Sequence, residues 1–221
     1  MQTINFQGTL FRFPLREHKS DISKNVYDNA KANELLSSFS DDASLMLLFL
    51  KNIETVKVFT IDSDSKKTLK ISAVLSDDTA DHVRTARRRI CDAVKTNWKH
   101  RQKKDLAESY KMTIDVCSSD ITKEKRNWFV CTYICWPQDV ETQMTSKEEG
   151  LSAWVGVAMS LDSVDVKGRT FCFLPLPPEE SATCLPVHVN GAFAVSPDRR
   201  SIKWPSEDRI EDNSALWNKY L

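Results

Sequence analysis

Glycine is scarce, with five in 221 residues. A loop that wraps its backbone N–H groups round a phosphate needs residues without a Cβ, so this scarcity argues against a glycine-rich phosphate cradle in the chain. Charge of one sign is missing too, because Lys plus Arg and Asp plus Glu each total 31. That balance provides no global field for nucleic acid or an anionic membrane and leaves only local patches open. His18, His82, His100 and His188 are scattered, with no H-x-x-x-H or H-E-x-x-H spacing, so no metal site is signalled. No G-x-S-x-G elbow marks a serine nucleophile. With no signal peptide at the N-terminus and no apolar run of about 18 residues, the chain reads as cytoplasmic, without membrane insertion.

What is present suits a folded protein. Hydrophobic residues make up 41% and charged residues 28%, far from a disordered profile, and the length allows one large domain or two small ones. The six cysteines lie in apolar runs. Cys131 and Cys135 fall on one face of a strand, but no second pair or histidine completes a zinc set, so buried, reduced thiols are expected. Asp41 with Asp42, Asp77 with Asp78 and Glu179 with Glu180 read as helix caps or turn residues rather than as an acid and base pair.

Hydrophobic periodicity supplies the elements. Gln7 to Arg16 (QGTLFRFPLR) is a short β-prone run that Pro14 confines to an edge or strand end, and a strand so close to Met1 suggests an excised fragment. Ala32, Leu35, Leu36 and Phe39 form a helical stripe, and a second helix is expected from Ser40 or Asp41 through Leu50. Residues 55–62 and 68–75 alternate as a hairpin across a polar turn. Val83, Ala86, Ile90, Val94 and Trp98 then mark a long helix over 79–106. Strands follow at 110–117, 127–136, 153–161 and 169–176, with a polar excursion at 138–150, and a tail helix over 206–221 packs Ile210, Leu216, Trp217 and Leu221. The 127–136 strand is apolar on both faces and so central.

The richest stretch is Leu185 to Pro205, LPVHVNGAFAVSPDRRSIKWP. Val187 and Val189 alternate with polar neighbours, Asn190-Gly191 predicts a tight hairpin turn, and Ser196-Pro197-Asp198 reads as a helix start. Arg199 and Arg200 then sit at the lip of a short element, where planar guanidiniums suit a phosphate or carboxylate. The other basic cluster is on the long helix, where Arg84, Arg87, Arg88 and Lys95 form either an anion or nucleic-acid patch or the solvated side of a surface helix. The zero net charge favours the solvated side. No complete catalytic constellation emerges; an independent enzyme would need a deep pocket of converging titratable groups.

GTLFRFPLR at the start, LMLLFLKNIE at 45–54, WVGVAM at 154–159, GRTFCFLPLP at 168–177, LPVHVNGAFAV at 185–195 and DRRSIKWP at 198–205 together closely resemble the repeated regions of the sacsin family of very large co-chaperones. The resemblance runs in order over nearly the whole chain. In that family each such region follows a nucleotide-binding domain like those of ninety-kilodalton heat-shock chaperones and mismatch-repair ATPases, and GTLFRFPLR resembles the exit from it. The resemblance implies that residues 1–16 are that exit strand and 17–221 an α+β module like the middle domain of ninety-kilodalton heat-shock chaperones. It also implies a role for the 185–205 stretch. In the related ATPases a basic residue of the second domain reaches back over the nucleotide, as an arginine finger would. By position Arg199 or Arg200 is the candidate, with Asn190 as a polar accessory. The plainer alternative is that the two arginines hold a turn or pair with Glu179, Glu180 or Asp198.

The expectation is therefore an α+β fold: a largely antiparallel or mixed sheet of about seven to nine strands, covered by helices at 26–50, 79–106 and 207–221. The chain would be a non-catalytic scaffold for client proteins or other chaperones. It would hold no cofactor itself and would cooperate with a preceding ATPase domain that holds ATP and magnesium.

Overall fold

The computed structural model describes residues 8–100, 105–118, 123–135, 153–204, 215, 217, 218 and 221. The chain divides into two compact units, Met1–Phe39 and Ser40–Leu221. Its elements in order are α1 (Asn29–Met46), β1 (Thr55–Ile61), β2 (Lys67–Leu75), α2 (Asp77–His100), β3 (Leu106–Ser118), β4 (Glu124–Cys135), β5 (Ala153–Ser160), β6 (Thr170–Cys172), β7 (Leu174–Pro175), α3 (Pro178–Ser181) and β8 (Val187–Gly191).

Eight strands form one sheet in the order β1-β2-β3-β4-β5-β8-β6-β7. Every pairing is antiparallel except β6 with β8, so the sheet is mixed and the fold α+β. The β1–β2 turn closes because the Asp62 carboxylate accepts the backbone N–H groups of Asp64 (3.1 Å) and Lys66 (2.7 Å) while Ser65 adopts a positive φ of 62°. One face of the sheet, carrying Val58, Ile71, Ala73, Met112, Ile114, Val130 and Ile134, is buried. Val83, Ala86 and Ile90 of α2 are buried as well, and α2 packs on β3. Each of the buried valine, isoleucine and methionine side chains contributes roughly 1.5–3 kcal/mol of burial, and each alanine less.

Several expectations need correction. Residues 29–46 form one helix, not two, since no glycine or proline interrupts them, and the Asp28 carboxylate caps it by accepting the Lys31 N–H at 2.8 Å. Residues 9–16 carry no strand, and Leu10, Phe11 and Phe13 are exposed. The long helix ends at His100, and Leu106 already belongs to β3. The expected 169–176 strand is broken at Phe173, whose φ is 64°, into β6 and β7. Asn190 and Gly191 make no turn: they complete β8, opposite Gly156 and Val155 of β5. The hairpin lies one segment later, where Val195 bridges Ile202. Among the cysteines only Cys172 is buried, whereas Cys131 and Cys184 are exposed; all six are free thiols. In the tail, Trp217 is buried with Ala153, and Leu221 packs against them beside Cys135 and Ala194. Ile210, Leu216 and the 138–150 excursion lie outside the described residues.

Candidate functional site

The turn carrying the two arginines is built on Ser196. Its hydroxyl oxygen accepts N–H groups from Arg200 (3.3 Å) and Ser201 (3.1 Å) and donates to Asp198 (2.5 Å). The Asp198 carboxyl, also bonded to the Arg200 N–H at 3.2 Å, is held below the usual carboxylate range, chiefly by that Ser196 bond. Ser196 also accepts the Arg199 N–H on its carbonyl at 2.8 Å, and Arg199 takes a positive φ of 57°. The expected helix start is therefore a closed polar turn between residues 195 and 202.

The three residues assigned to nucleotide sensing do not share one environment. Arg200 pairs with Glu179 at 2.7 Å, both side chains more than half exposed. Such a pair contributes at most about 1 kcal/mol. The Arg199 guanidinium has no hydrogen-bond or ion-pair partner among the described residues and stands in solvent. Asn190 is 1% exposed. Its Oδ1 accepts the Phe173 N–H at 2.8 Å, fixing the left-handed residue that breaks β6 from β7, while its Nδ2 has no hydrogen-bond partner among the described residues.

The basic helix dissolves as a patch. Arg84 is engaged bidentately by Glu54 (2.8 Å each) and by Asp81 (3.1 Å). Arg87 points inward, 7% exposed, donating to the carbonyls of Leu47 (2.5 Å) and Ile53 (3.1 Å). It thereby satisfies carbonyl groups just past the end of α1. Only Arg88 and Lys95 of the four candidates remain exposed and unpaired among the described residues.

A second cluster had no sequence signal. Arg169, largely buried, is bonded to Asp42, to the Leu176 carbonyl (2.6 Å) and to Ser181 Oγ (3.4 Å). Its backbone N–H donates to His188 Nδ1 at 3.1 Å. His188 is 3% exposed between the rings of Trp128 and Phe171, each 5.4 Å away. Burial first, and the Arg169 charge second, push its pKa down to about 4 against an opposing effect of Asp42. This is a neutral, structural histidine. The Cys135 and Cys172 thiols are pushed up by burial, the opposite of an activated nucleophile. No group of three or more metal-ligating side chains comes together among the described residues.

The sheet's second face is of a different kind. Phe129, Cys131 and Tyr133 of β4 stand directly opposite Met159, Val157 and Val155 of β5, and Val157 and Met159 in turn oppose Val189 and Val187 of β8. Tyr133 (40%), Val157 (40%) and Met159 (43%) are exposed, as is the neighbouring Leu161. Beyond the Trp217 cluster at its Cys135 end, this three-strand surface is apolar, with Cys131, Tyr133, Val157 and Met159 exposed and Phe129, Val155, Val187 and Val189 half-buried. No helix among the described residues is long and apolar enough to cross a membrane.

Fold and surface together define an α+β sheet module whose strongest polar clusters are structural and whose open feature is an apolar sheet face. A family model described as the Sacsin domain matches residues 1–73. Human sacsin is 36% identical over 234 residues, a match that takes in 98% of this chain and 5% of sacsin. The chain is a sacsin-type region. It spans about 5% of the length of that relative. No solved structure matches it.

Proposed function

We propose that the chain is a non-catalytic binding module of a sacsin-type co-chaperone, placed as the middle domain is in ninety-kilodalton heat-shock chaperones. The observation that carries this reading is the apolar face of β4, β5 and β8, in a chain similar to sacsin over 98% of its length. Contiguous exposed apolar surface of this kind marks a protein-binding site. Its occupant is the exposed apolar side-chain surface of a non-native client. ATP and magnesium belong to a preceding domain, and Arg199, exposed to solvent, is the better placed arginine to reach that nucleotide. The nucleic-acid reading is weaker, since Arg84 is paired and Arg87 is buried.

The test is suppression of aggregation of a thermally unfolding client, followed by light scattering. Wild-type chain delays scattering, and the double variant Val157→Lys and Met159→Lys, whose side chains stand on the open face, loses the delay while keeping its own circular dichroism. Equal protection by both proteins would exclude this face as the binding site.

A further inference from the structure

At its Cys135 end the outer face of the sheet carries helical residues of the chain's own tail. Residues 215, 217 and 218 are helical, and Trp217 packs on Ala153 of β5 beside Cys135 of β4. Polar bonds pin them there: Trp217 Nε1 donates to the Ala192 carbonyl at 2.8 Å, and Asn218 Nδ2 to those of Ala194 and Lys203 at 2.7 Å each. Beyond Trp217 the same face runs on through Tyr133, Cys131 and Phe129 of β4 and the valines and methionine opposite them on β5 and β8.

Polarity draws the borders of this strip. On one side β3 sets Ser109 against Cys131 and Lys111 against Phe129, and on the other β6 sets Thr170 against Val189. The width from β4 to β8 is two strand spacings of about 4.8 Å, and the length from Phe129 to Tyr133 is four steps of about 3.4 Å. A strip of roughly 10 Å by 14 Å matches one α-helix, about 10 Å across, over roughly nine residues at about 1.5 Å each. It is small beside the roughly 800 Å² that each partner gives to a stable complex, so a folded protein or a second copy would have to make most of its contact elsewhere.

An extended segment fits the strip poorly. A single strand turns alternate side chains toward the face in one row and would cover the width of one strand, not three. It would also gain no ladder bonds here, because β4, β5 and β8 each pair on both sides within the sheet. A helix needs none, since its N–H and C=O groups pair along its own axis, and an i, i+3, i+4, i+7 stripe fills the full width.

We propose that the strip selects amphipathic α-helical segments of about three turns, the apolar stripe of a client helix lying on β5 with its flanks over β4 and β8, beside the tail residues already seated at the Cys135 end. This rests on the reading of the face as the client site and narrows the client to one secondary structure.

The test titrates the chain into fluorescein-labelled peptides of about twelve residues and one shared composition of Leu, Ala, Glu and Lys. The first has leucines at helical spacing, the second is the same peptide locked helical by a Glu–Lys side-chain lactam, and the third has its leucines at alternate positions. Anisotropy should rise saturably with the helical peptide and about tenfold more tightly with the locked form, which loses less freedom on binding. The alternating isomer should bind about tenfold or more weakly than the locked form, and the double variant Val157→Lys and Met159→Lys, with unchanged circular dichroism, should weaken the locked peptide by a similar factor. No saturable binding of the locked peptide, equal affinity for the alternating isomer, or unchanged binding by the double variant would overturn the proposal. Loss of scattering protection in the double variant, with the alternating isomer bound as tightly as the locked helix, would keep the face as the client site and remove the selection for helices.

Discussion

Acid should unfold this chain earlier than its carboxylates alone require, and His188 is the reason. Its ring is 3% exposed between Trp128 and Phe171, with Nδ1 accepting the Arg169 N–H, so the folded chain keeps it neutral with the proton on Nε2. The folded pKa is about 4 against an ordinary 6.5. Between those values the unfolded chain binds a proton that the folded chain refuses. Stability is therefore full above pH 6.5, falls as the pH drops through the window, and has lost the whole contribution below 4. The shift of about 2.5 units, at 1.36 kcal/mol per unit, amounts to roughly 3 kcal/mol, a large share of a typical stability. Glu54, Asp78 and Asp198 are held below the usual carboxylate range, so their contributions persist to lower pH and leave the range from 6.5 to 5 to the histidine. The assay is urea unfolding followed by tryptophan fluorescence at half-unit pH steps from 7 to 4.5, for wild type and His188→Asn. Asparagine places an acceptor near the Nδ1 position but does not titrate. The variant is less stable at pH 7, having lost the ring from its aromatic slot, yet its stability changes with pH by about one proton less across the window. Parallel lines for the two proteins between pH 6.5 and 5 would refute the reasoning.

Gly168→Ala should cost about 3 kcal/mol in urea unfolding. A Cβ there would lie 2.1 Å from the Val187 carbonyl oxygen and 2.2 Å from that of Leu185, both backbone atoms that cannot rotate away. Arg87→Met, which keeps the stem and removes the donors, should lower stability by about 3 kcal/mol by stranding the Leu47 and Ile53 carbonyls, and Arg84→Met by less than 1 kcal/mol because that side chain is half exposed. In a protein with the preceding ATPase domain restored, Arg199→Ala should slow ATP turnover more than Arg200→Ala, since Arg200 is tied to Glu179. Equal rates for wild type and both variants in a steady-state phosphate-release assay would reduce the arginines to turn residues.

Period-two patterning made β1 to β5 legible, because an antiparallel strand declares its two faces residue by residue. It also gave the division of β4 between Trp128, Val130, Thr132 and Ile134 on one side and Phe129, Cys131, Tyr133 and Cys135 on the other. The Asn190-Gly191 reading went astray for a physical reason. Asn-Gly is the strongest short hairpin signal, but here the asparagine side chain is used in the core to hold Phe173, and a Cβ at residue 191 would come within 2.6 Å of the Phe193 ring. The glycine answers a close approach rather than a positive φ. Arg87 was legible in principle: at 83 + 4 it falls inside the Val83, Ala86, Ile90 stripe, and a charge on a buried stripe signals a buried acceptor. The partners of Arg169, by contrast, come from residues 42, 176 and 181, and no local pattern announces such an assembly.

How a partner would engage this sheet is constrained by its edges. At one edge β1 carries a register break between Val58 and Phe59, and the Lys67 ammonium sits 3.8 Å over the Phe59 ring. At the other, β7 is two residues long, ends on Pro175, and is followed by Pro177 and Pro178. Bulges, lysines and prolines at edges are the devices that block strand addition. The face of β4, β5 and β8 carries no such protection: its β4 and β5 side chains are Phe, Cys, Tyr, Val, Val and Met in register, and Tyr133 is the one whose polar end is occupied, by Asp105 at 2.7 Å. Guarded edges beside an unguarded face point to side-chain packing across the face rather than to β-augmentation. Substitutions that leave the backbone ladder intact, such as Val157→Lys, should therefore abolish client protection, whereas Ile61→Pro at the β1 edge should leave it unchanged in the same scattering assay. The reverse pattern would move the site to the edge.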